Sequence, residues 1–348
     1  MSKVRMGVVG VGWWGTVGHL EPLSKDERAE VVAVYSRSEE KARERAEKYG
    51  VARYYADYRR MIDECDLDGV SIATTPNVHY EQARYALEHG VNVLMEKPFV
   101  LHAAEAQHLA SLARERGLLL SVCYPWCFHP WAVEGRQAIR AGKLGRILLV
   151  NRLFSQRVYD LYRGDVTDMF SGRAVDYPLP NATSYSDPAV VGGGEGHTQA
   201  THAIGELLYL TGLAPASVFA YMNSLDVGLD VVDAIVVRFE GGALGTFSAN
   251  GLVPKNVGAY SAQVLGDRGI FSIDSTRSAG QIWLEGEKPR ELERPAHVNT
   301  VALVPQNFLR AIRGEEALHV ETEVAVNVVK ILDAAYRSAA SGQEIRVS

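Results

Sequence analysis

Val4-Arg5-Met6-Gly7-Val8-Val9-Gly10-Val11-Gly12-Trp13-Trp14-Gly15 is the stretch on which the reading of the fold turns. It joins an apolar run of strand length to the spacing G-x-G-x-x-G and opens into a segment with room for a helix. Glycines in that setting permit a tight turn and let a pyrophosphate rest against free N–H groups at a helix N-terminus. The spacing alone is common. Its position directly after a first strand makes Gly10, Gly12, Trp13, Trp14 and Gly15 the candidate phosphate cradle.

Outward from that loop, as far as residue 122, short β-branched runs alternate with longer segments of helical period. Val31 to Tyr35, Gly69 to Ala73, Val91 to Met95 and Leu118 to Val122 are apolar on both faces, as strands covered on both sides are. Glu39 to Tyr49, Val78 to His89 and Ala103 to Arg116 are long enough for crossover helices. The expected N-terminal unit, residues 1–123, is therefore an α/β domain with a doubly wound parallel sheet of Rossmann type.

After Tyr124 the grammar changes. A helical piece, Trp131 to Ala141, stops at Gly142, and Arg146 to Phe154 starts a strand-rich region. Residues 231–240, 243–250, 259–266 and 269–274 read as successive antiparallel strands. Helices are expected over about 197–211, 303–313 and 321–340. Residues 124–348 thus predict an α+β domain on a large open, mostly antiparallel sheet. Residues 156–191 carry aromatic and acidic residues without a sustained period, the mark of a lid, a binding loop or a partner contact.

Composition narrows the function. The 348 residues are 47% hydrophobic and 22% charged, the balance of a globular protein long enough for two domains. A net charge of −6 leaves no basic field for nucleic acid. Three cysteines, Cys65, Cys123 and Cys127, form neither a disulfide framework nor a four-ligand zinc pattern, and fit a reducing cytoplasm. No apolar run reaches the roughly 18 residues of a membrane span, and the early apolar run breaks too soon for a signal peptide. A soluble, unprocessed, cytoplasmic chain is expected.

NAD-specific loops carry an acidic residue about 20 positions on, for the ribose 2′-OH. Here the second strand ends Val34-Tyr35-Ser36-Arg37-Ser38, without a carboxylate. Ser36, Arg37 and Ser38 offer hydroxyls and a guanidinium that suit a 2′-phosphate, which favours NADP(H) over NAD(H). Arg37 could also stack on adenine, and Ser38 could simply cap the next helix.

Several further residues then fall into a pattern. The cradle, Thr75-Pro76-Asn77-Val78-His79, Glu96-Lys97-Pro98, Gly142-Lys143-Leu144-Gly145, Gly192-Gly193-Gly194 followed by His202, and the closing Ala335 to Gly342 resemble the Gfo/Idh/MocA oxidoreductases. The match runs in order along essentially the whole chain. It implies a nicotinamide between a Rossmann domain and an open-sheet domain, and oligomers, commonly homodimers or homotetramers, packed through the C-terminal sheets. It implies a carbohydrate or polyol substrate without naming it.

On that resemblance Lys97 handles the substrate hydroxyl proton during hydride transfer, and His202 faces the substrate. Pro98 fixes the turn, and the Lys97–Pro98 bond is a candidate for cis. Thr75, Pro76, Asn77, His79 and Glu96 fall near nicotinamide and ribose, with helix capping an alternative for Asn77. Many members carry an Asp four residues before the His; here the position is Thr198. Gln199 could orient His202 or a substrate hydroxyl, and His197 reads as a surface histidine at a helix start. In Tyr124-Pro125-Trp126-Cys127-Phe128-His129-Pro130, Trp126 and Tyr124 are candidate sugar contacts, Trp126 also a plausible seam filler. Tyr159, Tyr162, Arg163 and Tyr185 could line a pocket mouth or meet a neighbouring subunit.

Three activities stay open on these residues. One is a sugar or polyol dehydrogenase; the second is a redox-neutral NAD-dependent glycoside hydrolase or lyase working through a 3-keto sugar. The third is a dinucleotide-binding regulator without chemistry. No metal is expected, since hydride transfer with a lysine base needs no Lewis acid.

Overall fold

The computed structural model describes residues 2–167, 180–293 and 298–347, which fall into two compact units. The first is built on β1 (Val4–Val9), β2 (Ala29–Tyr35), β3 (Arg53–Tyr55), β4 (Gly69–Ile72), β5 (Asn92–Met95) and β6 (Leu120–Val122). They pair in parallel in the order β3-β2-β1-β4-β5-β6, so the strand order reverses between β1 and β4. Open α/β sheets place ligands beyond the strand ends at that reversal. Met6, Val8, Val9, Val70, Ile72, Val93, Leu94 and Met95 are all fully buried, which is why these strands read as continuous apolar runs.

After the helical run that follows β1, further helices connect the strands: α1 (Glu39–Tyr49), α2 (Tyr58–Glu64), α3 (His79–Glu88) and α4 (Ala103–Arg116). The Ser38 hydroxyl accepts from the Lys41 N–H, capping α1, and Asp57 caps α2 in the same way. Edge strand β3 and helix α2 are additions to the sequence reading; three residues are too few for strand periodicity to register.

The second unit carries a nine-stranded sheet. Helix α5 (Pro130–Arg140) leads into β7 (Ile147–Ser155), and α6 (Thr201–Thr211) precedes β8 (Pro215–Asn223). There follow β9 (Val232–Phe239), β10 (Leu244–Asn250), β11 (Ala259–Gly266), β12 (Gly269–Asp274), β13 (Ala279–Leu284), β14 (Arg290–Glu291) and, near the C-terminus, β15 (Ile345–Arg346). The order is β14-β13-β12-β11-β7-β10-β9-β8-β15, with β7 and β10 parallel and the other pairs antiparallel. Along β9 every second residue is exposed, so one face is covered and the other open.

Helix α7 (Thr300–Ile312) lies within Asn299–Glu323, a stretch that packs with the first unit, whereas the reading by residue order kept it with the C-terminal domain. Helix α8 (Thr322–Ser341) follows, and Ser338 accepts a hydrogen bond from the Ala220 N–H of β8. Of the irregular stretch 156–191, residues 168–179 lie outside the described residues. The rest forms short helical turns, Tyr159–Tyr162, Thr183–Ser186 and Pro188–Val191. No helix among the described residues is long and apolar enough to cross a membrane. Cys65, Cys123 and Cys127 are buried and unbridged.

Under α6 the sheet buries a full ion pair. Arg152 of β7 donates to Glu206 at 2.6 Å, and both side chains are at most 5% exposed. Arg152 also donates to the Ser261 carbonyl. Breaking a buried pair leaves an uncompensated charge, whereas an apolar replacement of both partners removes the desolvation cost. Arg152→Met and Glu206→Leu should therefore each lower stability by about 3–5 kcal/mol, and the double variant should recover most of that loss, as read by urea unfolding of the full chain.

Candidate active site

The glycine loop is shaped for close backbone approach. Gly10 adopts φ +96°, and a Cβ on Gly15 would stand 1.8 Å from the Gly10 carbonyl oxygen. Only glycine fits either position. A Cβ on Gly12 would meet nothing within 4 Å, so the exposed face of the loop is open. The helical run begins at Trp13, and Thr16 N–H already bonds the Gly12 carbonyl. These features fit a dinucleotide pyrophosphate.

The helix then passes through a π segment, Gly15–Leu20, before a last α turn at Glu21–Ser24. Single π turns inside helices mark functional sites more often than chance. This one delivers His19, a residue the sequence reading passed over. His19 is buried and its Nε2 lies 2.9 Å from Glu96 Oε1, while Nδ1 pairs with the Ser71 hydroxyl at 2.6 Å. Because an ionised carboxylate only accepts, Nε2 carries the proton.

Glu96 follows β5 and is buried, with its second oxygen accepting from the Lys97 N–H at 3.0 Å. Burial alone would raise its pKa. The His19 hydrogen bond, with the charges of His19 and Lys97, outweighs that and holds the carboxyl at about 2. The Cys123 thiol comes from the end of β6, and burial together with Glu96 pushes it well above the ordinary thiol range. The donor atoms of His19, Glu96 and Cys123 lie within 4.8 Å of one another. Val301, Val304 and Pro305 of α7 line the small cavity beside them, with Trp14 and Gly18.

Lys97 is half-buried next to this carboxylate, and the Lys97–Pro98 peptide is cis, as the sequence reading allowed. Burial pushes its ammonium below the usual lysine range, and Glu96 opposes that shift. His79 braces the turn. Its ring is fully buried, Nδ1 lies 2.9 Å from the Pro98 carbonyl and 3.1 Å from that of Phe99, and Nε2 lies 3.2 Å from that of Thr74. The expected place of His79 beside nicotinamide gives way to this role, since both ring nitrogens are turned to backbone.

Elsewhere in the first unit, Thr75 donates to the side-chain oxygen of exposed Asn77 at 2.8 Å, in place of the capping bond considered for Asn77. Pro76 opens the short 3₁₀ turn that leads into α3. Ser36 accepts from the Ser38 N–H, Ser38 caps α1, and the Arg37 side chain between them is exposed. Tyr124, expected as a sugar contact, is 1% exposed and packs the core.

In the second unit, a π segment, Gly196–Ala200, leads into α6, which carries His202. The ring of Trp126 stacks on both His202 and Phe154, with centroids 5.1 and 5.0 Å away, and the Arg152 guanidinium sits 5.4 Å from it. Trp126 thus holds the His202 ring. Gln199 is half-buried on the π segment. His197, expected at the surface, is 4% exposed and packs on Tyr336 at 4.6 Å.

The tyrosines expected at a pocket mouth or a neighbouring subunit pack into a small core. Tyr159 and Tyr162 pack with Val158, Leu161, Val191, Leu229 and Val231, and Tyr185 leans on the same cluster. Tyr159 bonds Asp226, and Arg163 lies over its ring. Tyr162 reaches Thr198 and Glu195. Glu195 and Asp230 were also missed; single acidic residues in a glycine-rich loop and before a strand give no periodic signal.

Comparison with known proteins agrees with this fold. The model of the oxidoreductase family with an NAD-binding Rossmann fold matches residues 4–124, and that of the Gfo/Idh/MocA C-terminal domain matches residues 133–272. The D-xylose 1-dehydrogenase (NADP(+)) 2 of Haloferax volcanii is 24% identical over 98% of both chains. The scyllo-inositol 2-dehydrogenase (NADP(+)) of Bacillus subtilis is 29% identical over 78% of this chain and 76% of its own. A solved levoglucosan dehydrogenase, in complex with NADH and levoglucosan, shares the fold with a TM-score of 0.82 at 20% identity, covering 99% of this chain and 100% of its own. The chain belongs to the Gfo/Idh/MocA family of NAD(P)-dependent oxidoreductases.

Proposed function

We propose that the protein is a dehydrogenase that oxidises a secondary alcohol of a sugar or cyclic polyol to a ketone, or catalyses the reverse. The observation that carries this reading is the half-buried Lys97 amine at the end of β5, its charge disfavoured by burial beside a matched carboxylate. The nicotinamide supplies or accepts the hydride when bound. In oxidation the neutral Lys97 amine takes the hydroxyl proton, and in reduction its ammonium returns it. His202, whose ring Trp126 steadies, is proposed as a substrate-facing residue of the second unit. The relatives named for D-xylose and scyllo-inositol support the substrate class.

Because its pKa is lowered, Lys97 is a free amine over more of the neutral range than an ordinary lysine, and oxidation should rise with pH as it deprotonates. Lys97→Met should cut turnover about 10²- to 10⁴-fold and leave dinucleotide affinity intact, assayed by nicotinamide absorbance against a panel of sugars and inositols. Turnover within a few-fold of wild type would remove Lys97 from the chemistry. Aglycone released from glycosides without net absorbance change would favour the redox-neutral reaction.

We further propose NADP(H) as the preferred cofactor. Support comes from the missing carboxylate at the end of β2 and from Arg37, exposed between two serines whose hydroxyls are already engaged with backbone. Arg37→Ala should weaken NADP(H) binding about 10-fold or more and leave NAD(H) binding unchanged, by titration of cofactor fluorescence. Tighter binding of NAD(H) by wild type would reverse the assignment.

The open face of the second sheet is the proposed subunit contact. Tyr221, Val232, Val236, Leu244 and Leu153 are exposed there, apolar side chains that a contact between copies would cover. Light scattering should find a dimer or tetramer in wild type and smaller species in Val236→Glu; a monomeric wild type would contradict it.

A further inference from the structure

Three buried side chains of different chemistry converge in the first unit. His19 comes from the π segment after the glycine loop, Glu96 from the end of β5 and Cys123 from the end of β6, and each is at most 6% exposed. One donor atom from each, an imidazole nitrogen, a carboxylate oxygen and the sulfur, lies within 4.8 Å of the other two. Two protons join them. The His19 Nε2–H donates to Glu96 Oε1 at 2.9 Å, and the Cys123 thiol donates to the same carboxylate.

A dication can take the place of those protons. Cys, His and Glu are ligand types of zinc sites, at about 2.3 Å for sulfur and about 2.0–2.2 Å for nitrogen and oxygen. Donors around one such ion stand roughly 3.3–3.7 Å apart, so these three need shift by no more than about 1 Å. Charge closes as well: a thiolate and a carboxylate carry two negative charges, which a divalent cation cancels, leaving no net charge to bury. Metal–sulfur, metal–nitrogen and metal–oxygen bonds form; the Cys123 proton leaves to water, and the His19 proton moves from Nε2 to Nδ1. There it is donated to the Ser71 oxygen, 2.6 Å away. Outer partners are already in place, Ser71 behind the imidazole and the Lys97 N–H on Glu96 Oε2 at 3.0 Å. The small cavity beside the cluster, walled by Val301, Val304 and Pro305 of α7, gives a water room to act as fourth ligand.

We propose that His19, Glu96 and Cys123 bind one divalent cation of the zinc and cadmium class, tying the helix after the glycine loop to the ends of β5 and β6. Thiolate and imidazole select such ions over magnesium and calcium, which ask for oxygen ligands that this cluster supplies from one carboxylate alone. The site stands apart from the dehydrogenase reading, since none of its three ligands is the group that exchanges the substrate proton.

The test titrates the reduced, metal-free full chain with Cd²⁺, whose bond to a thiolate shows as an ultraviolet charge-transfer band, and with Zn²⁺ by calorimetry. Wild type should bind one ion per chain, the band should saturate at that ratio, and the thermal unfolding midpoint should rise with metal. Cys123→Ser should lose the band, whereas Cys65→Ser and Cys127→Ser should keep it. Ser71→Ala, which leaves all three ligands in place, should bind Zn²⁺ about 10- to 100-fold more weakly, and His19→Gln more weakly still. These two variants carry the test if Cys123→Ser fails to fold, which its metal-free unfolding curve reveals. Lys97→Met, which removes a positive charge bearing on Glu96, should bind at least as tightly, and this separates the site from the assignment of the catalytic base. A wild type without the band, a band that persists in Cys123→Ser, binding lost in Lys97→Met, or Mg²⁺ bound as tightly as Zn²⁺ overturns the proposal.

Discussion

A negative charge buried at Glu96 organises the first unit. An ionised carboxylate inside a protein has to be matched, and here the match draws on distant parts of the chain. His19 comes from the helix after the glycine loop, Ser71 from β4, the Lys97 N–H from the end of β5 and Cys123 from the end of β6, with α7 lining the cavity beside them. Removing His19 would leave the charge short of its main partner. The same charge bears on the Lys97 amine, where Glu96 favours the ammonium and burial disfavours it more.

The second unit shows the opposite outcome for the same side chain. Glu96, beside an imidazole and an ammonium, is held at about 2; Glu195, beside a phenol and another carboxyl, is raised to about 8. Burial pushes both upward, so the neighbours decide the direction. Both glutamates are tied to π segments, Gly15–Leu20 through His19 and Gly196–Ala200 through Thr198. His19 lies inside the first π segment, and His202 follows the second.

Much of this was legible in the residues. The parallel sheet showed because buried strands are apolar on both faces, and α1 and α4 fall on the boundaries read from Glu39 to Tyr49 and Ala103 to Arg116. The cradle and the cis turn after Lys97 were legible because glycine and proline restrict the backbone itself. The hidden features depend on tertiary pairing. His19 gains meaning only when β5 brings Glu96 beside it, and the Arg152–Glu206 pair joins residues far apart in sequence. The aromatic stretch around Tyr159 and Tyr162 read as a pocket mouth or a subunit contact because tyrosine serves surfaces and cores equally well. Its burial came from Val191, Leu229 and Val231, which composition could not place beside it.

The central proposal is that the Lys97 amine exchanges the proton of the substrate hydroxyl. A crystal structure of the ternary complex with dinucleotide and a bound polyol tests it most directly. The account predicts the Lys97 Nζ within hydrogen-bond reach, about 2.6–3.2 Å, of the hydroxyl whose carbon faces the nicotinamide. A polyol ordered against that ring with Lys97 turned away from its reacting hydroxyl would contradict it.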